Sequence, residues 1–426
     1  YLQTLNKNQF INLSSFLIYL LPLALLTGPF IPDLFITLLS IIFVYFSIKE
    51  KKWLYYQNLY SYLFIIIYFY FVMRSIFTTN PADSLSVSIP YIRFIFFSLA
   101  TWWVIDNNKN FIKNFSIILT IIFIVALFDG YYQYFYDVNF FGFHAPGSRM
   151  SLLLNDKAIL GGYLSRLFPL LMATTIYRII SNNNKKNLYK IFIILIPIMF
   201  IFTDILIYIT GERTAFALLF LSTIFIVISV SKFKIIRLIS FLLSLLIIIF
   251  ITTQDKEIKN RNIDYTISQL NSTEEGKFFL FSEKHEKYFF TSWNMFLDNK
   301  LFGQGPNLFR QLCSKEKFSY TENSCNTHPH NNYIQLLAET GIFVPLIFII
   351  IFLSFIYLSI INVYNLAIKN KIIFTDYQIC LISCFLMTLW PILPTNNFYN
   401  NWINIIYFLP VGFFLNSIYK DNIKSK

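Results

Sequence analysis

The chain has 426 residues, of which 56% are hydrophobic and only 13% charged, and its formal net charge is +12. So few charges cannot clothe a soluble globule, which excludes an ordinary water-soluble enzyme. A basic excess of this size could mean nucleic acid, but the placement of the charges argues against that.

Apolar blocks of roughly 20 residues, divided by short polar stretches, read as transmembrane helices. About twelve are expected, near 12–29, 31–48, 59–77, 87–105, 112–130, 158–180, 189–209, 213–230, 235–252, 341–364, 372–393 and 399–418. Pro22, Pro90, Pro169 and Pro197 fall inside these spans and are expected to mark kinks. The fold class is therefore an all-α polytopic membrane protein in three parts. Residues 1–252 carry spans 1–9, residues 253–340 form a large exterior loop, and residues 341–426 carry spans 10–12. The chain begins with Tyr1, so further residues are expected to precede it. The first span is read as opening the bundle rather than as a cleaved signal.

Charge orients the bundle. Segments 1–11, 49–58, 106–113, 178–190, 231–237, 365–376 and 419–426 hold 18 Lys/Arg against 4 Asp/Glu, and the rest of the chain holds 16 against 18. The positive-inside rule puts the first set, with both termini, in the cytoplasm. The basic charge thus faces anionic lipid and is no nucleic-acid footprint. No repeat relates the two halves, and the large loop lies late in the chain, which weighs against a two-half transporter.

Five arginines fall toward the exterior half: Arg74, Arg93, Arg149, Arg166 and Arg213. A guanidinium fork suits phosphate, and arginines gathered at one depth would suit a lipid-linked pyrophosphate. Arg213 stands out, because "TGERTAF" places it after a tight turn at a span start, where a helix N-terminus adds positive potential. Among the arginines it alone has an evident acidic neighbour, Glu212. Cys313 and Cys325 lie twelve apart in the exterior loop and are a candidate disulfide. Together with His328 and His330 they lack the close paired spacing of a structural zinc site, so no metal is expected.

The stretch "THPHNNYIQLLAETG", residues 327–341, reads as a short amphipathic helix ending at Gly341. Asn331, Gln335 and Glu339 share one face, as candidates for acceptor contacts or for orienting the helix. His330 stands at the helix start, where the dipole keeps an imidazole neutral and able to take a proton from a hydroxyl. His328 is set aside in its favour.

These residues carry a family resemblance. "HPHNNYIQLLAETG" resembles the signature of the O-antigen ligase and O-antigen polymerase superfamily. "TGERTAF" resembles its arginine motif, and "GSRMSLLLNDKAILGGYLSRLFPLL" resembles the segment entering its sixth span. "MFLDNKLFGQGPNLFRQLC", with Gly303 and Gly305 making the turn, resembles the stretch before its histidine. The resemblance implies a GT-C-like glycosyltransferase of the bacterial inner membrane with its active site on the periplasmic face. It implies an undecaprenyl-pyrophosphate-linked glycan as donor, a lipid A–core sugar or another glycan as acceptor, and no cofactor. By motif His330 would be the catalytic base and Arg213 the pyrophosphate ligand, with Arg149 a weaker match; Arg93 and Arg166 are substrate-binding candidates from their shared membrane depth alone. Relatives often carry an arginine upstream of the glycine turn. Here "SEKHEKYFFTSW" offers Lys284, His285 or Lys287 in its place, and "SLLL" replaces a commoner glycine-containing stretch after Arg149. A ligase is the leading expectation, a polymerase the second, and a polysaccharide flippase the alternative of another class.

Overall fold

The structure, a computed structural model, describes residues 7–144, 150–151, 159–181, 186–270 and 281–424. Among them the chain is all-helical, with a single isolated bridge between Val138 and His144. The first helices are α1 (Lys7–Ala24), α2 (Phe30–Lys49), α3 (Leu59–Ile76), α4 (Pro81–Ser88), α5 (Arg93–Asn107) and α6 (Phe111–Tyr136). Then come α7 (Leu160–Ile180), α8 (Lys186–Ile209), α9 (Arg213–Ser229) and α10 (Lys234–Gln254). The late loop holds α11 (Lys256–Lys259), a π-turn at Asn260–Asp264, α12 (Tyr265–Leu270), α13 (Glu283–Asp298), α14 (Phe309–Leu312) and α15 (Asn332–Thr340). The chain closes with α16 (Phe343–Ile368), α17 (Asp376–Thr388) and α18 (Asn401–Lys424).

A helix occupies each of the twelve apolar stretches, but among the described residues only seven are both long and apolar enough to cross a membrane. They are Phe30–Lys49, Leu59–Ile76, Pro81–Asn107, Phe111–Tyr136, Lys234–Gln254, Phe343–Ile368 and Asn401–Tyr419. Pro90 acts as expected: it ends α4 and opens a 3-10 turn before α5. The stretch read as a span over 372–393 behaves differently. Its helix, α17, has 13 residues, or about 20 Å of rise, against a hydrocarbon core of roughly 30 Å. Thr375 and Gln378 close a capping box at its start, and residues 389–400, with Pro391 and Pro394, are not helical.

Helix α7 is buried along most of its length and packs against α6, α8, α9 and α17. On the other side α18 lies along α5, over the fully buried Trp102 and Trp103. Two buried ionisable side chains of the bundle have partners: Asp204 of α8 accepts from Thr223 (3.4 Å) and Ser244 (3.1 Å), and Arg237 donates to the Val230 carbonyl (2.6 Å). That is the condition under which ionisable groups are tolerated at such positions.

The α5–α18 crossing depends on Gly412, where a Cβ would fall 2.5 Å from Thr101 Cβ and 2.6 Å from the Ser98 carbonyl oxygen. Gly412→Ala should therefore force the two helices apart at a cost of about 1–3 kcal/mol. The expected result is a lower thermal midpoint in detergent; an unchanged midpoint would show that the crossing can relax freely.

Candidate functional site: a histidine cluster on the late lobe

The lobe between α10 and α16 has its own small core of Met295, Leu308, Phe309, Leu312, Cys313, Phe318 and Ala338. Cys313 and Cys325 are joined by a disulfide, with their Cα atoms 5.0 Å apart. The Gly-x-Gly turn is stitched to the end of α15. Gln304 N–H donates to the Ala338 carbonyl (2.9 Å), Gly305 N–H to Glu339 (2.8 Å), and Ile342 N–H to Lys300 (3.0 Å). Gly303, at φ +66°, has no room for a side chain: a Cβ would lie 2.4 Å from the Glu339–Thr340 peptide. The end of α3 grips the same turn. Arg74 donates to the carbonyls of Phe302 (2.9 Å), Gly303 (2.7 Å) and Phe77 (2.6 Å), and the Tyr70 hydroxyl to that of Thr340 (2.6 Å).

The polar face of α15 turns inward. Asn331, Gln335 and Glu339 are 4%, 1% and 0% exposed, so their side chains meet protein. Asn331 caps α15 by accepting from Tyr333 N–H (2.9 Å) and Ile334 N–H (3.1 Å), and its amide donates to the Pro391 carbonyl (2.8 Å). Gln335 accepts from Phe398 N–H (3.0 Å) and donates to Asn397 (2.9 Å) and to Glu339 (3.2 Å). The Tyr333 hydroxyl donates to Leu389 (2.6 Å), and Thr395 N–H to the His330 carbonyl (2.7 Å). This face thus satisfies the irregular backbone that follows α17. Glu339 also accepts from Phe309 N–H (2.9 Å), and burial raises its carboxyl to about 7.

Three of the four histidines converge at the mouth of this arrangement. The His330 ring lies 4.1 Å from His328 and 5.3 Å from His285, with the Tyr288 ring at 5.8 Å. His330 is held in the left-handed region, at φ +59°, immediately before the cap residue. Burial, then the neighbouring His328 and His285, lowers its pKa to about 4. The neutrality expected from the helix start therefore has burial as its main cause. His328 is likewise lowered to about 4, chiefly by burial, with Arg310 and His285 adding to it. Burial and then Arg213 lower His285. The site therefore holds neutral imidazoles within the field of two guanidinium groups. Among the described residues no group of three or more His, Cys, Asp and Glu side chains is placed to hold a metal ion.

The arginines separate. Arg213 opens α9, donates to Thr266 (2.8 Å), lies 5.4 Å over the Tyr265 ring, and acts on His285. Its sequence neighbour Glu212 turns to α7, accepting from Gly161 N–H (2.8 Å) and Gly162 N–H (2.9 Å). That carboxylate sits at the positive end of α7. Arg166 bonds the Tyr407 hydroxyl (3.2 Å) and the Gly162 carbonyl (3.0 Å). Arg93 pairs with Asp33 at 2.8 Å, an acidic partner from α2 that sequence proximity does not reveal. Arg149 lies outside the described residues. Of the three candidates upstream of the glycine turn, His285 faces His330, while Lys287 pairs with Glu283 (2.5 Å).

Residues 197–349 match the family described as O-antigen ligase. This interval contains Arg213, all of the lobe between α10 and α16, and His330. The match supports membership of the O-antigen ligase and polymerase family over that part of the chain. No curated protein matches it. Family and helices together make it a multi-pass membrane protein of ligase or polymerase type.

The sequence reading missed Asn326, Tyr288 and Arg310 and set His328 aside. Arg310 stands inside the quoted "NLFRQLC", so a search for basic residues flanking the glycine turn could have found it. Asn326 and Tyr288 had no such signal, because only the folded lobe brings them to His330.

Asn331→Ala should strip the cap of α15 and leave the Pro391 carbonyl without its donor, a loss of about 1–3 kcal/mol. Asn331→Asp keeps the cap acceptor and should recover part of the loss. Thermal unfolding of both variants checks this; equal midpoints for wild type and Asn331→Ala would contradict the structural role.

Proposed function

We propose that this family member transfers a glycan from undecaprenyl pyrophosphate to a lipid A–core sugar on the periplasmic face of the bacterial inner membrane. In this reading both termini are cytoplasmic and the twelve helical stretches form the membrane bundle. The observation that carries it is His330 itself: a half-buried, neutral imidazole at the edge of the bundle, beside a histidine that Arg213 acts on.

The acceptor hydroxyl attacks the anomeric carbon of the donor sugar, forming the new glycosidic bond. His330 removes the hydroxyl proton as that bond forms. The bond from the anomeric carbon to the phosphate oxygen breaks, and its electron pair leaves on the lipid pyrophosphate. Arg213 stabilises the growing negative charge, as a fixed cation in a water-poor site does best. Arg310 adds positive potential from the lobe. Asn331 and Glu339 act by holding α15 in place, and Arg93 and Arg166 by holding the bundle.

Purified protein given lipid-pyrophosphate glycan and lipid A–core should transfer the glycan, with or without a chelator. His330→Ala should lower the rate by about 10²–10⁴-fold, and Arg213→Ala by about 10²–10³-fold with Arg213→Lys intermediate. Transfer untouched by His330→Ala would sink the mechanism. Glycan joined only to other glycan units would make the chain a polymerase.

The pH dependence has a definite sign. His330 is a base only when neutral, so the rate should rise through its lowered pKa of about 4 and be level by neutral pH. An acid limb near the ordinary histidine value of 6.5 would contradict the burial described above.

A further inference from the structure

We infer that Asn326 chooses which nitrogen of His330 takes the proton, by holding Nε2 as the unprotonated acceptor until the acceptor hydroxyl displaces the amide. This rests on the reading of His330 as the base. The observation is a contact of 3.2 Å between Asn326 Nδ2 and His330 Nε2.

Which end of an amide faces a partner must be settled by its other hydrogen bonds. Here the backbone settles it: Thr327 N–H donates to Asn326 Oδ1 at 2.7 Å, a place only an oxygen can fill. The NH₂ group therefore faces the imidazole. A donor facing Nε2 needs a lone pair there, so the neutral ring carries its proton on Nδ1.

Both partners are fixed from outside the contact. Asn326 follows Cys325, which is tied to Cys313, and Cys313 Sγ lies 3.7 Å from the Asn326 carbonyl oxygen. His330 is fixed by its left-handed backbone and by Thr395 N–H on its carbonyl. The disulfide therefore reaches the imidazole through a single residue.

The amide resembles the group it makes way for, since an N–H donor occupies the lone pair that an acceptor O–H would use. It also opposes the product of proton transfer. Once Nε2 is protonated, two donors face each other, which favours return of the proton to solvent. The titratable and charged neighbours of the ring are His328 on the same segment and His285 and Tyr288 on α13, with Arg213 of α9 acting on His285.

Replacing the amide by a carboxylate reverses its effect. N326D should stabilise imidazolium and move the acid limb of glycan transfer up by about 1–3 pH units. Activity lost at mildly acidic pH should return as the pH is raised through neutrality, which a misfolded variant would not show. N326A should lower the rate and move its acid limb up by less than N326D does. An N326D profile that coincides with wild type would overturn the inference. A second measurement needs no transfer. In protein labelled with ¹⁵N-histidine, the signals that vanish in His330→Ala belong to His330, and in wild type they should show an unprotonated Nε2 and a protonated Nδ1 at neutral pH. The opposite tautomer would overturn the inference even if N326D is inactive at every pH. Wild-type protein that transfers no glycan yet shows the expected tautomer would overturn the proposed function and leave only the hold of Asn326 on the tautomer standing.

Discussion

Backbone groups removed from water must find partners, and the site is arranged around one place where a helix cannot supply them. After α17 the chain runs without helix from residue 389 to 400. In a membrane bundle such backbone survives only where protein satisfies it. Tyr333, Asn331, Gln335 and the His330 carbonyl do this, one after another along α15 and its cap. The polar face of α15 is therefore a template for the broken segment, and His330 comes at the end of that template. The histidine is positioned because the bonds on either side of it are obligatory.

The same burial that makes those bonds necessary shapes the chemistry. An imidazole taken out of water and set beside two others resists protonation, and Arg310 and Arg213 add to that resistance at His328 and His285. Arginine keeps its charge in such a place, while histidine gives its charge up. A cluster of the two residue types therefore separates into fixed cations and neutral acceptors at neutral pH. An anionic leaving group and a hydroxyl nucleophile need just that division of labour.

Much of this was legible in the sequence, for identifiable reasons. Twelve apolar stretches announced twelve helical regions, because span length and apolar content are local properties. The short α17 was misread as a full span, since Pro391 and Pro394 interrupt a run whose composition stays apolar. The spacing of Asn331, Gln335 and Glu339 correctly indicated one face of one helix. Their partners lie in residues 389–398 and 307–309, so the sequence could not say whether that face met substrate or protein. Glu212 followed the same limit: its sequence neighbour is Arg213, but its carboxylate serves α7. The pairing of Arg93 with Asp33 and the approach of His285 to His330 likewise depend on tertiary packing.

The grip of α3 on the lobe has a mechanical consequence. Only 28% of α3 is buried within the protein, so most of its length is left to face lipid. Yet Arg74 and Tyr70, near its end, hold the turn that Gly303 and Gly341 press against α15. The lobe and a lipid-facing helix thus share one joint. The tilt of α3 and the seat of α15 are a single degree of freedom, which makes the bilayer itself a part of the frame that holds His330.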